Sequence, residues 1–294
     1  MDINLIKLFE NFNSEDRCRE LLEVLRWPSG VCCTRCGNLS VSKLEKRHQY
    51  ECNGCRYQFS ATAGTVFHDS HLPLWKWFLA TYLICEGKKG ISAHQLHRTL
   101  GISYKTAWYL CHRIREAMKS DNPDKLAGIV EADETFIGGK YDRRRKRAAY
   151  DKTCVVGVIQ RGGEVRAQKI PSRGARAIAT YVRASVEPGS QLMTDEYAGY
   201  KAVGKEYEHS KVNHSKLEYV VGLTHTNSIE NFWSLFKRGL VGSFHKVSDK
   251  HLDRYLDEFT YRFSNRADGQ LFQNTLRNLV NGKTLTFEEL TKAS

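Results

Sequence analysis

Three acids in the second half of the chain have the types and order that could share divalent cations. They are Asp133 in IVEADETFIGG, Asp195 in QLMTDEYAGY and Glu230 in HTNSIENFWSLFKRG. The first two close strand-like runs, and the third opens a helix-like one. Hard ions such as Mg²⁺ or Mn²⁺ favour carboxylate oxygen. Two such ions about 4 Å apart can activate a nucleophile and stabilise a leaving oxygen at one phosphorus. In that chemistry Asp133 would bridge both ions, with Asp195 and Glu230 each holding one. Clustered carboxylates repel, so the metal-free site should be incomplete. Lys237 follows Glu230 by seven positions, on the same helix face. Glu131 has the strand parity of Asp133 and could face the same way, whereas Glu134 and Glu196 should point elsewhere. An isolated carboxylate is ordinarily a solvated surface group, so the case rests on three acids falling in this order.

A second set of residues points to a different metal. Cys33-Thr-Arg-Cys36 and Cys52-Asn-Gly-Cys55 are two CxxC knuckles with fifteen residues between them. Thiolates at i and i+3 can grip one ion from a tight turn, and two such turns complete a tetrahedral sulfur site for structural zinc. Four thiolates leave no open position, so this site holds the fold rather than reacts. The chain has nine cysteines, an odd number, and no secretory pattern, which argues against a disulfide framework. Cys32 adjoins the first knuckle at a poorer spacing and is left out. Cys18, Cys85, Cys111 and Cys154 read as small core residues.

The elements that must carry these residues are legible in order. VSKLEKRHQYEC predicts a hairpin between the knuckles, and RYQFSAT a following strand. LPLWKWFLATYLICEGK predicts a buried helix in which Trp75, Trp77 and Phe78 belong to the core. Ser92 caps a helix to about Leu100, Gly101 breaks it, and Ser103 caps a second from Tyr104 to about Met118. Helix, glycine turn and helix match a helix-turn-helix. Its second helix would present Tyr104, Lys105 and Arg113 to DNA, with Tyr109 and His112 as further candidates. After the turn-rich DNPDKLAG come three strands, a helix, a fourth strand ending at Asp195, a short fifth strand and two helices. That is the order of a ribonuclease-H-like domain, in which the first and fourth strands are neighbours and Asp133 would meet Asp195.

The bulk properties agree with such a chain. Hydrophobic residues make up 41% of 294, and the mean hydropathy is −0.51. No run approaches the ~18 apolar residues of a membrane span, and the polar N-terminus lacks a signal-peptide pattern. A cytoplasmic, nucleoid-associated protein is expected. The net charge of +12 favours a polyanion such as double-stranded DNA, whose counterions Lys and Arg displace. The charge is concentrated in Lys140–Arg147, where Arg143, Arg144, Arg145, Lys146 and Arg147 follow the Asp133 strand.

The expected architecture is an α+β multidomain chain: residues 1–60 an N-terminal helix and zinc ribbon, 61–125 a helical helix-turn-helix block, 126–265 a ribonuclease-H-like domain with a mixed sheet, and 266–294 a C-terminal appendage. CxxC…CxxCxxQFSATAGTVF, VEADETFIGGK, TDEYAGY and HTNSIENFWSLFKRG together resemble bacterial insertion-sequence transposases of the zinc-ribbon DDE group, relatives of the eukaryotic Merlin elements. The resemblance implies Mg²⁺-dependent strand cleavage and transfer, and recognition of terminal inverted repeats. It carries the catalytic acids onto Asp133, Asp195 and Glu230. Lys237, with Arg238 beside it, would contact DNA phosphate near the cut. Joining two ends implies at least a homodimer on DNA. A non-cutting DNA-binding regulator is the alternative, and the full set of three acids argues against it.

Overall fold

The computed structural model describes residues 3–120, 124–138, 152–203, 205–212 and 225–292. The basic run with Arg143, Arg144, Arg145, Lys146 and Arg147 lies outside the described residues. Two compact units divide the chain. Met1–Gly87, Ile91–Met118 and Asp268–Ser294 form one, and Lys88–Gly90 with Lys119–Ala267 the other.

The first unit begins with α1 (Leu5–Asn11) and α2 (Glu15–Arg26). Asn4 and Ser14 accept the Lys7 and Arg17 amides and so satisfy donors that a helix start leaves open. The antiparallel ribbon follows as β1 (Val41–Leu44), β2 (Gln49–Cys52) and β3 (Gln58–Phe59). Its small core is aromatic: Tyr50 and Phe59 stack at 5.9 Å, and the Trp27 ring stands edge-on 5.8 Å from each. Arg26 donates to the carbonyls of Ser60, Ala61 and Ala63, tying the end of α2 to the chain leaving the ribbon. In α3 (Leu74–Glu86), Trp77 and Phe78 are buried, whereas Trp75 is exposed and carries Lys76 over its ring. The capping serines Ser92 and Ser103 start α4 (Ala93–Leu100) and α5 (Tyr104–Glu116). Gly101 ends α4 at φ +59°, a left-handed conformation that glycine adopts without a Cβ clash.

The second unit is built on a five-stranded mixed sheet. Its elements are β4 (Ile129–Ile137), β5 (Thr153–Gln160), β6 (Val165–Ile170), α6 (Ala175–Ser185), β7 (Gln191–Thr194), β8 (Glu208–Lys211), α7 (Asn227–Gly239) and α8 (Leu252–Ser264). The strand order is β6-β5-β4-β7-β8. β4, β5 and β6 form an antiparallel meander, while β7 runs parallel to β4 and β8 parallel to β7. This is the ribonuclease-H-like order, with the first and fourth strands adjacent. A short 3₁₀ turn, Ala198–Ala202, joins β7 towards β8.

Strand alternation splits the core between two faces. Val130, Ala132, Val156 and Val158 pack with Ile178 and Val182 of α6 on one side. Val155 and Ile159 pack with Ile229, Phe232, Trp233 and Phe236 of α7 and Phe259 of α8 on the other. Gly157 lets α7 approach closely, because a Cβ there would stand 2.6 Å from the Trp233 ring.

The remaining helices return to the first unit. α9 (Leu271–Asn281) buries Phe272, Leu276, Leu279 and Val280. Phe272 meets Phe78 and Tyr82, and the Leu279 carbonyl accepts the Val66 amide. α10 (Phe287–Thr291) starts in a capping box of Thr286 and Glu289 and sets Phe287 against Trp108 and Tyr109 of α5. The stretch after Asp268 is therefore part of the first unit's core. Among the described residues no helix is long and apolar enough to cross a membrane.

Candidate active site and metal centre

The parallel pairing of β7 with β4 covers only Ile129–Glu131. Beyond it, residues 132–137 pair with β5, and no described strand flanks them on the β7 side. At that edge the carboxylates of Asp133, Glu134 and Asp195 lie within 4.8 Å of one another. The Asp195 side chain accepts the Tyr197 amide at 3.0 Å, which fixes it just past the end of β7.

Glu134 corrects the expectation that it would point elsewhere. Its Cα does belong to the opposite face. With no strand beside it, its carboxylate reaches the same edge as Asp133. Arg173 Nε donates to Oε1 at 2.6 Å and the Tyr200 hydroxyl to Oε2 at 2.8 Å, so Glu134 enters the cluster already paired. The Arg173 guanidinium lies 3.7 Å from the Tyr197 ring centroid.

Glu230 sits in the first turn of α7, exposed, and accepts the Thr226 hydroxyl at 2.7 Å. It is not one of the carboxylates grouped within 4.8 Å. Its charge nonetheless reaches Asp133. Burial, and then the negative charges of Glu134, Asp195 and Glu230, push the Asp133 carboxyl up to about 7. Burial, followed by Glu134, also raises Asp195, against the lowering effect of the Tyr197 amide. Hard oxygen donors whose negative charge Arg173 offsets only in part suit a divalent cation, which would relieve that repulsion. Lys237 and Arg238 are exposed in the last turn of α7.

Glu131, of the same parity as Asp133, lies under α7 rather than among the acids. Its side chain is fully buried. It accepts Arg161 Nε at 2.7 Å, the Ser228 amide at 2.8 Å, the Ser228 hydroxyl at 3.0 Å and the Ile229 amide at 3.1 Å. His225 Nδ1 is 3.2 Å away.

In the ribbon the four sulfurs of Cys33, Cys36, Cys52 and Cys55 lie within 4.8 Å of one another. Cys33 and Cys55 are 3.7 Å apart, and Cys36 and Cys52 3.5 Å. A tetrahedral ion with sulfur at ~2.3 Å sets sulfur–sulfur edges of about 3.8 Å, so the cage has the size of a structural zinc site. Cys32 stands outside this group, and Cys18, Cys85, Cys111 and Cys154 are buried elsewhere.

The helix-turn-helix presents less of its second helix than its sequence suggests. Tyr104 is exposed and stacks on His94 at 4.3 Å, and Lys105 is exposed above the Phe287 ring. Arg113 is a correction: it is buried, donates to the carbonyls of Val66 and His68, and lies over the Trp77 and Tyr109 rings. A guanidinium held by carbonyls inside the core cannot reach a phosphate. His112 is also buried, against Trp108, and the Tyr109 hydroxyl donates to the Leu285 carbonyl. The exposed part of α5 is its first turn, Tyr104 to Thr106.

Two comparisons bear on this arrangement. Residues 125–264 match the ISXO2-like transposase domain, and residues 13–58 match the transposase zinc-ribbon domain. An uncharacterized protein in transposable element ISH50 of Halobacterium salinarum is 31% identical over 276 residues, spanning 86% of this chain and 92% of that relative. The chain belongs to the ISXO2-like transposases. The zinc-ribbon match contains all four clustered cysteines, and the transposase-domain match contains Asp133, Glu134, Asp195, Glu230 and Lys237. Helices α3 to α5 fall between the two matched stretches. Sequence reasoning missed Glu134 and Arg173 as members of the acidic site. Only their proximity in the fold reveals them.

Proposed function

We propose that this member of the ISXO2-like transposases cuts DNA at the terminal inverted repeats of its element and joins the freed 3′-hydroxyl to target DNA. What carries the reading is the meeting of Asp133 and Asp195 at the edge of a ribonuclease-H-like sheet, with the charge on Asp133 opposed by burial and by its acidic neighbours. Asp133, Asp195 and Glu230 would hold two Mg²⁺ or Mn²⁺ ions. When bound there, such ions activate the attacking hydroxyl and neutralise the leaving oxygen. The chain's own contribution is to aim the carboxylates. The sheet sets the two aspartates side by side, and the first turn of α7 brings Glu230 towards them. Lys237 and Arg238 would grip phosphate beyond the cut. Tyr104 and Lys105, at the tip of α5, would enter the major groove, and Arg143–Arg147 would add backbone contacts. Two ends are joined in one event, so the working species is a dimer or larger on DNA, acting in the cytoplasm at the nucleoid.

The test is cleavage and joining of DNA carrying the element's own termini, in Mg²⁺, in EDTA, and with Asp133→Asn and Glu230→Gln. Metal-dependent products lost in both variants support the reading. The exposed position of Glu230, outside the tight carboxylate group, favours one alternative, a regulator that binds the termini without cutting. Tight binding with no product in Mg²⁺ or Mn²⁺ would establish that alternative.

A further inference from the structure

Glu131 is a fully buried carboxylate that the proposed chemistry does not use. A buried charge is costly unless its lone pairs are satisfied, and here they are, by groups from two places. Arg161, just past the end of β5, supplies Nε at 2.7 Å. The start of α7 supplies the Ser228 amide at 2.8 Å, the Ser228 hydroxyl at 3.0 Å and the Ile229 amide at 3.1 Å. Arg161 also donates to the His225 carbonyl at 2.9 Å, so the residue that pairs Glu131 holds the chain entering the helix as well. The N-cap residue Thr226 makes no side-chain cap hydrogen bond, and His225 Nδ1 accepts the Asn227 amide at 3.4 Å. The carboxylate of Glu131, on the strand beneath, accepts the next two amides, Ser228 and Ile229, where the helix dipole favours a negative charge.

The location gives this cap a consequence. Glu131 is two residues before Asp133 on β4, and Ser228 and Ile229 directly precede Glu230 on α7. A single side chain therefore spans the strand that carries one proposed metal ligand and the helix turn that carries another. We propose that Glu131 is a positioning residue: by capping α7 it sets the distance of Glu230 from Asp133 and so makes metal binding at that pair possible. This rests on the reading of Asp133 and Glu230 as partners at one metal site. Glu134 does the matching task on the other flank, where it takes Tyr200 from the turn that follows Asp195.

The experiment is a double-mutant cycle on the full chain, read by Mn²⁺ binding in calorimetry and by hydrogen exchange, with DNA nicking as a separate channel. Glu131→Gln should weaken Mn²⁺ binding about 10-fold or more, the size expected when a partner that orients a metal ligand is lost. It should speed exchange at the Ser228, Ile229 and Glu230 amides while the strand amides of β5 stay protected. The decisive comparison is Glu131→Gln with Glu230→Gln. If Glu131 acts through Glu230, the double variant binds Mn²⁺ no more weakly than Glu230→Gln alone. Losses that add, or a folded Glu131→Gln protein that binds Mn²⁺ like the parent, would overturn the proposal. Should Glu131→Gln not fold, Ser228→Ala, which removes one of the four bonds and leaves the carboxylate buried, carries the same cycle and decides it. A parent protein that binds Mn²⁺ yet nicks no DNA would sink the transposase activity and leave this inference standing on its binding cycle.

Discussion

The two candidate cation sites are assembled by opposite means. In the ribbon, each pair of sulfurs comes from one tight turn, and a short hairpin brings the pairs to 3.5 and 3.7 Å. At the acidic site, Asp133 lies on β4 and Asp195 just past β7, strands that meet through parallel pairing across an intervening meander and helix. The sulfur cage supplies all four ligands of a tetrahedral ion from two turns. The acidic site faces an unpaired stretch of strand, and two of its carboxyls are raised by burial and mutual repulsion. A local site can make a metal part of its fold. A site built by topology can be held ready by its scaffold and remain open to substrate.

Removing the ions should break this comparison most clearly. Stripping zinc with a strong chelator, or substituting Cys52→Ser, is expected to unfold the ribbon at a cost on the order of 5 kcal/mol or more, seen as a lost low-temperature transition in calorimetry. Withholding Mg²⁺ should leave both unfolding transitions in place. Asp133→Asn should lower DNA cleavage by about 1,000-fold or more, since it removes a charged ligand from a proposed two-metal site, measured in single-turnover assays. The same variant should leave zinc content unchanged by elemental analysis.

Arg113→Ala tests the first unit alone. It empties a buried guanidinium from between two carbonyls and two aromatic rings, and should destabilise that unit by about 2–4 kcal/mol in denaturant melts.

The raised Asp133 carboxyl makes a smaller, signed prediction. Its ordinary value near 3.8 becomes about 7 in the fold, so the folded chain keeps a proton that the unfolded chain releases. That contribution to metal-free stability is complete below about pH 4 and is lost as the pH rises to about 7. Asp133→Asn should flatten the dependence and gain about 1–3 kcal/mol at pH 8. A parent melting curve that is flat across this range would refute the assignment. The smallest effect is expected from Lys105→Ala, which should weaken binding to terminal DNA by about 1 kcal/mol and reduce the salt slope by about one ion, with no change in melting temperature.

The sequence made much of this legible because many determinants are local. Ser92, Gly101 and Ser103 mark helix ends by their own side chains or lack of one, and the CxxC turns declare their geometry in four residues each. Strand alternation located Asp133, and the order of elements put it beside Asp195. What escaped depended on distant partners. Arg113 looks like a surface base on a recognition helix until Val66 and His68, more than forty positions away, supply its carbonyls. Glu134 escaped because alternation predicts a face and says nothing of an edge, and it is the end of the β7 pairing that opens the edge. Glu131 had the right parity, but its partners at the start of α7 are nearly a hundred residues further on. The place of α9 had no sequence signal at all, since an amphipathic helix does not name what it packs against.

That last helix orders events during synthesis. Phe272 and Leu279, which complete the packing around α3, leave the ribosome only after the whole ribonuclease-H-like unit has been made. The second unit can therefore fold on a nascent chain while the unit carrying the ribbon and helix-turn-helix still lacks part of its core. A message cut short before Asp268 would yield a protein with every proposed catalytic acid and an unfinished first unit. Contacts this distant along the chain also slow folding, because their loops must close before they stabilise anything.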